Sequence, residues 1–185
     1  MARRAQKGSH DAFTELVLRY GGRLYPFLAQ KNVPAIEVED LLQDTFLKAY
    51  MNIHRYQHRS KFSTWIFTIA ARLAIDRYRT GIRWKSLDEE EPVAEKSVDR
   101  LEQQEQKQNL WRLARQLPDN QYRALWLKYA EKMSIAEIAR VMGKSRANIK
   151  IILYRARINL ASRMKQSPDY EMPDGFENHN PQAGE

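Results

Sequence analysis

Cysteine is absent from all 185 residues. That excludes a disulfide framework and any thiolate metal site, and it suits a reducing cytoplasm. Histidine occurs only 4 times. His54 and His58 have the four-residue spacing of metal ligands on a helix, but they flank a predicted loop with no clear third ligand, so both are assigned to the surface. No glycine-rich phosphate loop or nucleophile elbow is present, and Glu39, Asp40 and Asp44 have no histidine partner with which to form a nuclease centre. No metal site, cofactor, small-molecule substrate or enzymatic activity is therefore expected. No apolar run approaches the roughly 20 residues of a membrane span. The opening "MARRAQKGSHDAF" carries no apolar stretch of signal-peptide length, so a soluble, intracellular chain is expected.

Charge, by contrast, is plentiful and uneven. The formal net charge is +8. Residues 1–80 hold 13 Lys/Arg against 7 Asp/Glu, and residues 109–166 hold 13 against 3. Between them, residues 81–108 hold 5 against 8, and residues 167–185 hold 0 against 5. Two basic blocks separated by an acidic stretch favour phosphate backbones through counterion release. A solvated helix face is the plainer alternative on charge alone.

The same divisions mark the organisation. "SLDEEEPVAEKSVDR" offers little to bury and reads as an acidic linker over 81–108, whose last part returns to helical character. Residues 167–185, with three prolines and two glycines, read as a disordered acidic tail. The first block, 1–80, reads as all helix. "DAFTELVLRYGGRLYPFLA" gives one or two helices, with Gly21 and Gly22 as a possible kink and Pro26 needing local adjustment. "PAIEVEDLLQDTFLKAYMNI" follows, with Val38, Leu41, Leu42, Thr45 and Ala49 facing a core. Asp40, Gln43, Asp44 and Leu47 form a neighbouring stripe. After the loop "RYQHRSKFS" comes the helix "TWIFTIAARLAIDRYR". Tyr56, Phe62, Trp65 and Phe67 crowd that loop beside Arg59, Lys61, Arg72, Arg77 and Arg79. Such a mixture serves either a core or single-stranded nucleic acid.

The second block, 109–166, contains "SIAEIARVMGKSRANIKIILYRAR". Ser134 and Glu137 have capping-box spacing. Ile135, Ile138, Ala139 and Met142 repeat at helical spacing, Gly143 breaks the run, and Ser145 can cap a second helix with apolar line Ile149, Leu153, Ala156 and Leu160. Ala139, Gly143 and Ile149 have the offsets of a helix-turn-helix. Arg146, Lys150, Tyr154 and Arg157 then share a face able to enter a DNA major groove. Some three-helix units of this kind bind protein only.

In this order, "EDLLQDTFLKAY", "KFSTWIFTIAARLAIDRYR" and "LPDNQYRALWLKYAEKMSIAEIARVMG…IKIILYRAR" resemble the sigma-70 family. The size and spacing resemble its extracytoplasmic-function group. The resemblance implies an all-α protein of two helical domains joined by a flexible acidic linker, the C-terminal one containing the helix-turn-helix. It implies a factor that binds core RNA polymerase and directs it to promoter DNA. Its first domain would open and read the −10 element, and its second would read the −35 element. It further implies action in the bacterial cytoplasm and restraint by an anti-sigma factor, often a membrane-anchored one. Carried over by position, Asp40, Gln43, Asp44 and Leu47 match the polymerase-docking stripe. Tyr56, Arg59, Lys61, Phe62, Ser63, Arg72, Asp76 and Arg77 fall in the −10 segment, and Arg146, Lys150, Ile151, Tyr154, Arg155 and Arg157 in the −35 helix. Two departures stand out. The family often reads "IARN" where this chain has "IAAR", which puts Arg72 at a promoter-contacting position. Ile151 and Ile152 replace a common Ser-Arg pair. Two competitors are a helix-turn-helix regulator without polymerase affinity and a basic helical nuclease.

Overall fold

A computed structural model describes residues 1–29, 33–79 and 101–166, and every regular element in it is helical. The segment read as linker, up to residue 100, and the tail 167–185 lie outside the described residues.

The first bundle holds α1 (Ala2–Gln6), α2 (His10–Leu28), α3 (Ala35–Asn52), a 3₁₀ turn (Ile53–Arg55) and α4 (Phe62–Arg79). Gly8, at φ 91°, makes the turn between α1 and α2, in a region of backbone space that favours glycine. Ser9 then caps α2, its Oγ accepting from the Ala12 N–H at 3.3 Å. The "GG" pair does not divide this helix, which is continuous through Pro26. Having no N–H, Pro26 leaves the Gly22 carbonyl without its helical donor, and the helix ends two residues later at Leu28. On α3, Val38, Leu41, Thr45 and Ala49 are buried as their spacing requires, and the Thr45 hydroxyl donates to the Leu41 carbonyl at 2.7 Å. Ile66, Phe67, Ala70 and Ala71 of α4 close the core, with Phe27 edge-on to Phe67 at 5.0 Å. Burying each large apolar side chain contributes about 1.5–3 kcal/mol.

The second bundle holds α5 (Leu101–Arg115), α6 (Asp119–Leu125), a π-helical turn (Trp126–Ala130), α7 (Ile135–Met142) and α8 (Arg146–Gln166). α5 begins inside the segment read as linker, in the part with helical character. Trp111, Tyr122 and Trp126 pack together, the two indoles 4.8 Å apart. Ser134 and Glu137 form the expected capping box: the Glu137 N–H donates to Ser134 Oγ at 3.3 Å, and the Ser134 N–H donates to the carboxylate at 2.8 Å. Gly143, at φ 61°, ends α7 in the left-handed conformation, and Ser145 Oγ accepts from the Asn148 N–H at 3.2 Å to start α8. Ile138, Ile149, Leu153 and Ala156 are buried between these helices.

The two bundles touch. α7 lies against α4, and buried residues of both form one continuous apolar cluster. Tyr122 donates its hydroxyl proton to the Pro26 carbonyl at 2.9 Å. The Arg123 guanidinium lies over the Phe27 ring at 5.6 Å. The π turn brings Glu131 to Arg23, whose Nε donates to its carboxylate at 3.2 Å.

Candidate nucleic-acid interface

The second helix of the helix-turn-helix, α8, has a simple geometry. Ile149, Leu153 and Ala156 are held inward, so the opposite side of α8 must face solvent. Arg146, Lys150, Ile151, Tyr154, Arg155 and Arg157 are all exposed there. Ile151, Tyr154 and Ile158 form an exposed apolar line among these cations. Ile152 is only half-buried, at the edge of the core.

The loop between the 3₁₀ turn and α4 is built differently. Tyr56 and Phe62 are 6% and 8% exposed, so in this conformation neither offers an open ring face. Tyr56 is edge-on to Phe62 (5.5 Å) and tilted against Trp65 (5.2 Å), and Tyr20 backs Phe62 at 5.2 Å. The Tyr56 hydroxyl donates to the Ser60 carbonyl at 2.6 Å. Burial, then the neighbouring Tyr20, raises the Tyr56 pKa above its ordinary value. The aromatic group forms a wall behind the loop, leaving Gln57, His58 and Arg59 outermost. His58 faces α1: its Nε2 is 2.7 Å from Gln6 Oε1. Among the described residues no three His, Asp or Glu are grouped to hold a metal ion.

At the start of α4, Lys61 is exposed, Ser63 half-buried and Thr64 fully buried. Lys61 Nζ lies 3.6 Å from Glu137 Oε1, and the Thr64 hydroxyl donates to the same oxygen at 3.3 Å. The Glu137 pKa is lowered first by the Ser134 N–H bond, with Lys61 and Thr64 adding to the effect. The buried side of the opening of α4 thus rests against α7. Further along, Arg72 and Asp76 are exposed. Arg77 turns towards α3, with its guanidinium 2.8 Å from Glu37 and 3.5 Å from Asp44.

On α3, Asp40, Gln43 and Leu47 are exposed, and Asp44 is half-buried beside Arg77. Sequence periodicity missed two members of this face. Ile36 and Met51, each 64% exposed, extend the same stripe at both ends. Their signal is an apolar residue at helical spacing on a side turned away from the core. Gln6, Arg23 and Glu131 carry no local pattern that could have singled them out.

An exposed acidic and apolar stripe on one bundle, joined to a helix-turn-helix with a basic exposed helix, is an architecture of a two-domain DNA-binding protein. Two family matches specify which kind: Sigma-70 region 2 over residues 16–83 and Sigma-70, region 4 over residues 107–160. The ECF RNA polymerase sigma factor SigM of Bacillus subtilis is 34% identical over 149 residues, covering 79% of this chain and 91% of that protein. SigW of the same organism is 28% identical, covering 88% and 94%. Among solved structures, the sigma factor RpoE in complex with the anti-sigma factor NepR from Bartonella quintana has a TM-score of 0.64 at 26% identity, covering 85% of this chain and 98% of that one. The chain belongs to the sigma-70 family, in its extracytoplasmic-function group.

Proposed function

We propose that the two bundles divide promoter recognition, the first docking on polymerase and handling the −10 element and the second reading the −35 element. As a sigma factor the protein binds core RNA polymerase and directs promoter-specific initiation. The observation that carries the division is the pairing of the exposed stripe on α3 with a separate, basic, outward-facing α8. A regulator without polymerase affinity has no use for the stripe and is not favoured. The family is not one of enzymes, and the chain is assigned no chemistry of its own: the polymerase makes the bonds.

Asp40, Gln43 and Leu47, with Asp44 beside them and Ile36 and Met51 at the ends, form the docking surface. The α8 side chains Arg146, Lys150, Ile151, Tyr154, Arg155 and Arg157 form the −35 surface. Arg59, Lys61, Ser63, Arg72 and Asp76 belong to the −10 surface, with Tyr56 and Phe62 as its wall. Arg77 is assigned a bracing role between α4 and α3, since its guanidinium lies within reach of Glu37 and Asp44. The domains on this reading are 1–80 and 109–166, with 81–108 as linker and 167–185 as tail.

An anti-sigma factor is the expected inhibitor, as in the RpoE–NepR complex. Among the described residues no helix is long and apolar enough to cross a membrane. The protein acts in the cytoplasm on this proposal, with any membrane tether supplied by that inhibitor.

Charge reversal on α3 tests the docking assignment. Asp40→Arg is preferred to Asp44→Arg, because changing Asp44 also disturbs Arg77. Like charge at an interface costs several kcal/mol, so core binding followed by fluorescence titration is expected to fall by two orders of magnitude or so while the fold persists. Unchanged affinity in the folded variant would remove the stripe from the interface.

A further inference from the structure

The loop assigned above to the −10 element is tied to the amino-terminal helix by one side chain. The Gln6 amide donates from Nε2 to two backbone carbonyls, Ile53 at 3.0 Å and Tyr56 at 2.7 Å. Its Oε1 lies 2.7 Å from His58 Nε2. A primary amide has two N–H donors and one carbonyl, so these three contacts use all of its functional groups. They also fix its orientation: the flipped amide would point oxygen at two carbonyls. With Oε1 as acceptor, the proton of the third bond must sit on His58 Nε2.

The anchored points bracket the loop. The Ile53 carbonyl belongs to the 3₁₀ turn, where it also receives the Tyr56 N–H at 3.0 Å. The Tyr56 carbonyl stands where the chain leaves that turn, and His58 is two residues on, its ring edge-on to Tyr56 at 4.8 Å. The segment from residue 56 to 61 belongs to no helix, so its shape must come from side chains. The Tyr56 hydroxyl holds the far side through Ser60, and Gln6 holds the near side from α1.

We infer that Gln6 is a positioning residue for −10 recognition: by clasping Ile53, Tyr56 and His58 it presets the backbone of the loop that reads the opened −10 element. The inference rests on the −10 assignment of this loop. Gln6 itself makes no contact with DNA. It acts by holding residues 57–60 in the shape that discriminates among bases, and so limits the ordering that binding must impose.

The test uses the full chain assembled with bacterial core RNA polymerase and a template pool randomised across the −10 region. Open complexes are scored by permanganate reactivity, and base preference by sequencing the opened templates. Gln6→Leu keeps most of the volume and removes all three bonds. Gln6→Glu can still accept from His58 but sets negative charge against two carbonyls. In both, the ratio between best and worst −10 sequences is expected to shrink about tenfold, which corresponds to ~1.4 kcal/mol, a sum within reach of two or three hydrogen bonds. Core affinity is expected to stay as in the parent. His58→Ala, which deletes one exposed bond, gives a smaller loss in the same ratio and keeps the test alive should a Gln6 variant fold poorly.

Wild-type base preference in folded Gln6→Leu and Gln6→Glu would overturn the clasp, and so would a loss of open complexes equal across all −10 sequences. If the unsubstituted protein opened no template with core polymerase, the failure would lie with the assigned function and not with Gln6.

Discussion

Lys150 stands in the second turn of α8 with its side chain exposed, one position after the fully buried Ile149. A recognition helix reaches base edges from its first turns, so Lys150 is assigned to a base and not to phosphate. The two assignments separate in a salt series. A lysine on phosphate, changed to alanine, lowers the salt slope by about 1 and leaves sequence preference alone. A lysine on a guanine edge relaxes preference at one position by ~1–3 kcal/mol. Titrating Lys150→Ala in the full chain against a −35 duplex and its single-base variants is expected to show the second pattern. A uniform loss would move Lys150 to the backbone. Next to it, Ile151 has no charge to offer, and its exposed methyl groups suit a thymine methyl, the substitution of an apolar contact for the more common polar one.

At the scale of elements, the turn between α7 and α8 sets how α8 is presented. A Cβ on Gly143 would meet nothing within 4 Å, so the cost of adding one comes from the backbone alone. The left-handed conformation penalises an L-residue by roughly 1–2 kcal/mol. Gly143→Ala is therefore expected to lose about that much stability in urea unfolding, and Gly143→Asn visibly less. This turn was legible in the sequence, because caps and left-handed glycines are set by residues close in the chain. Ser134, Glu137, Gly143 and Ser145 all stand where their spacing put them. The buried faces of α3 and α8 were legible for the same reason. Other features were not, because they depend on partners far along the chain. Tyr56 and Phe62 look alike whether they line a core or a DNA cleft, and only packing against Tyr20 and Trp65 separates the two. Arg77 reads as one more cation on a basic helix until α3 brings Glu37 to it across 40 residues. Gln6 meets the loop across 47 to 52 residues, a distance at which an isolated glutamine carries no pattern at all.

For the molecule as a whole, the contact between the bundles mixes apolar packing with enclosed charge. The Glu131 side chain is 1% exposed, and burial raises its pKa although Arg23 pulls the other way. Burial likewise lowers the Arg123 pKa, and its Nε finds no hydrogen-bond partner among the described residues. Charges enclosed at such expense make a contact that is easily parted once one partner is changed. Arg23→Glu sets two carboxylates face to face. Small-angle scattering is expected to show a larger radius of gyration for this variant, with helix content by circular dichroism unchanged. An unaltered radius would mean that the remaining contacts, apolar packing with Tyr122–Pro26 and Glu137–Thr64 among them, hold the bundles without Arg23. Glu137 extends this logic to binding. Its carboxylate serves α7 as a cap and at the same time holds Lys61 and Thr64. For a ligand that needs Glu137 released from the opening turn of α4, the apparent dissociation constant is the intrinsic one divided by the parted fraction. If about one molecule in ten is parted, binding weakens tenfold without a single contact to the ligand being altered. Glu137 is in that sense a gain control, setting how strong a ligand must be before it registers.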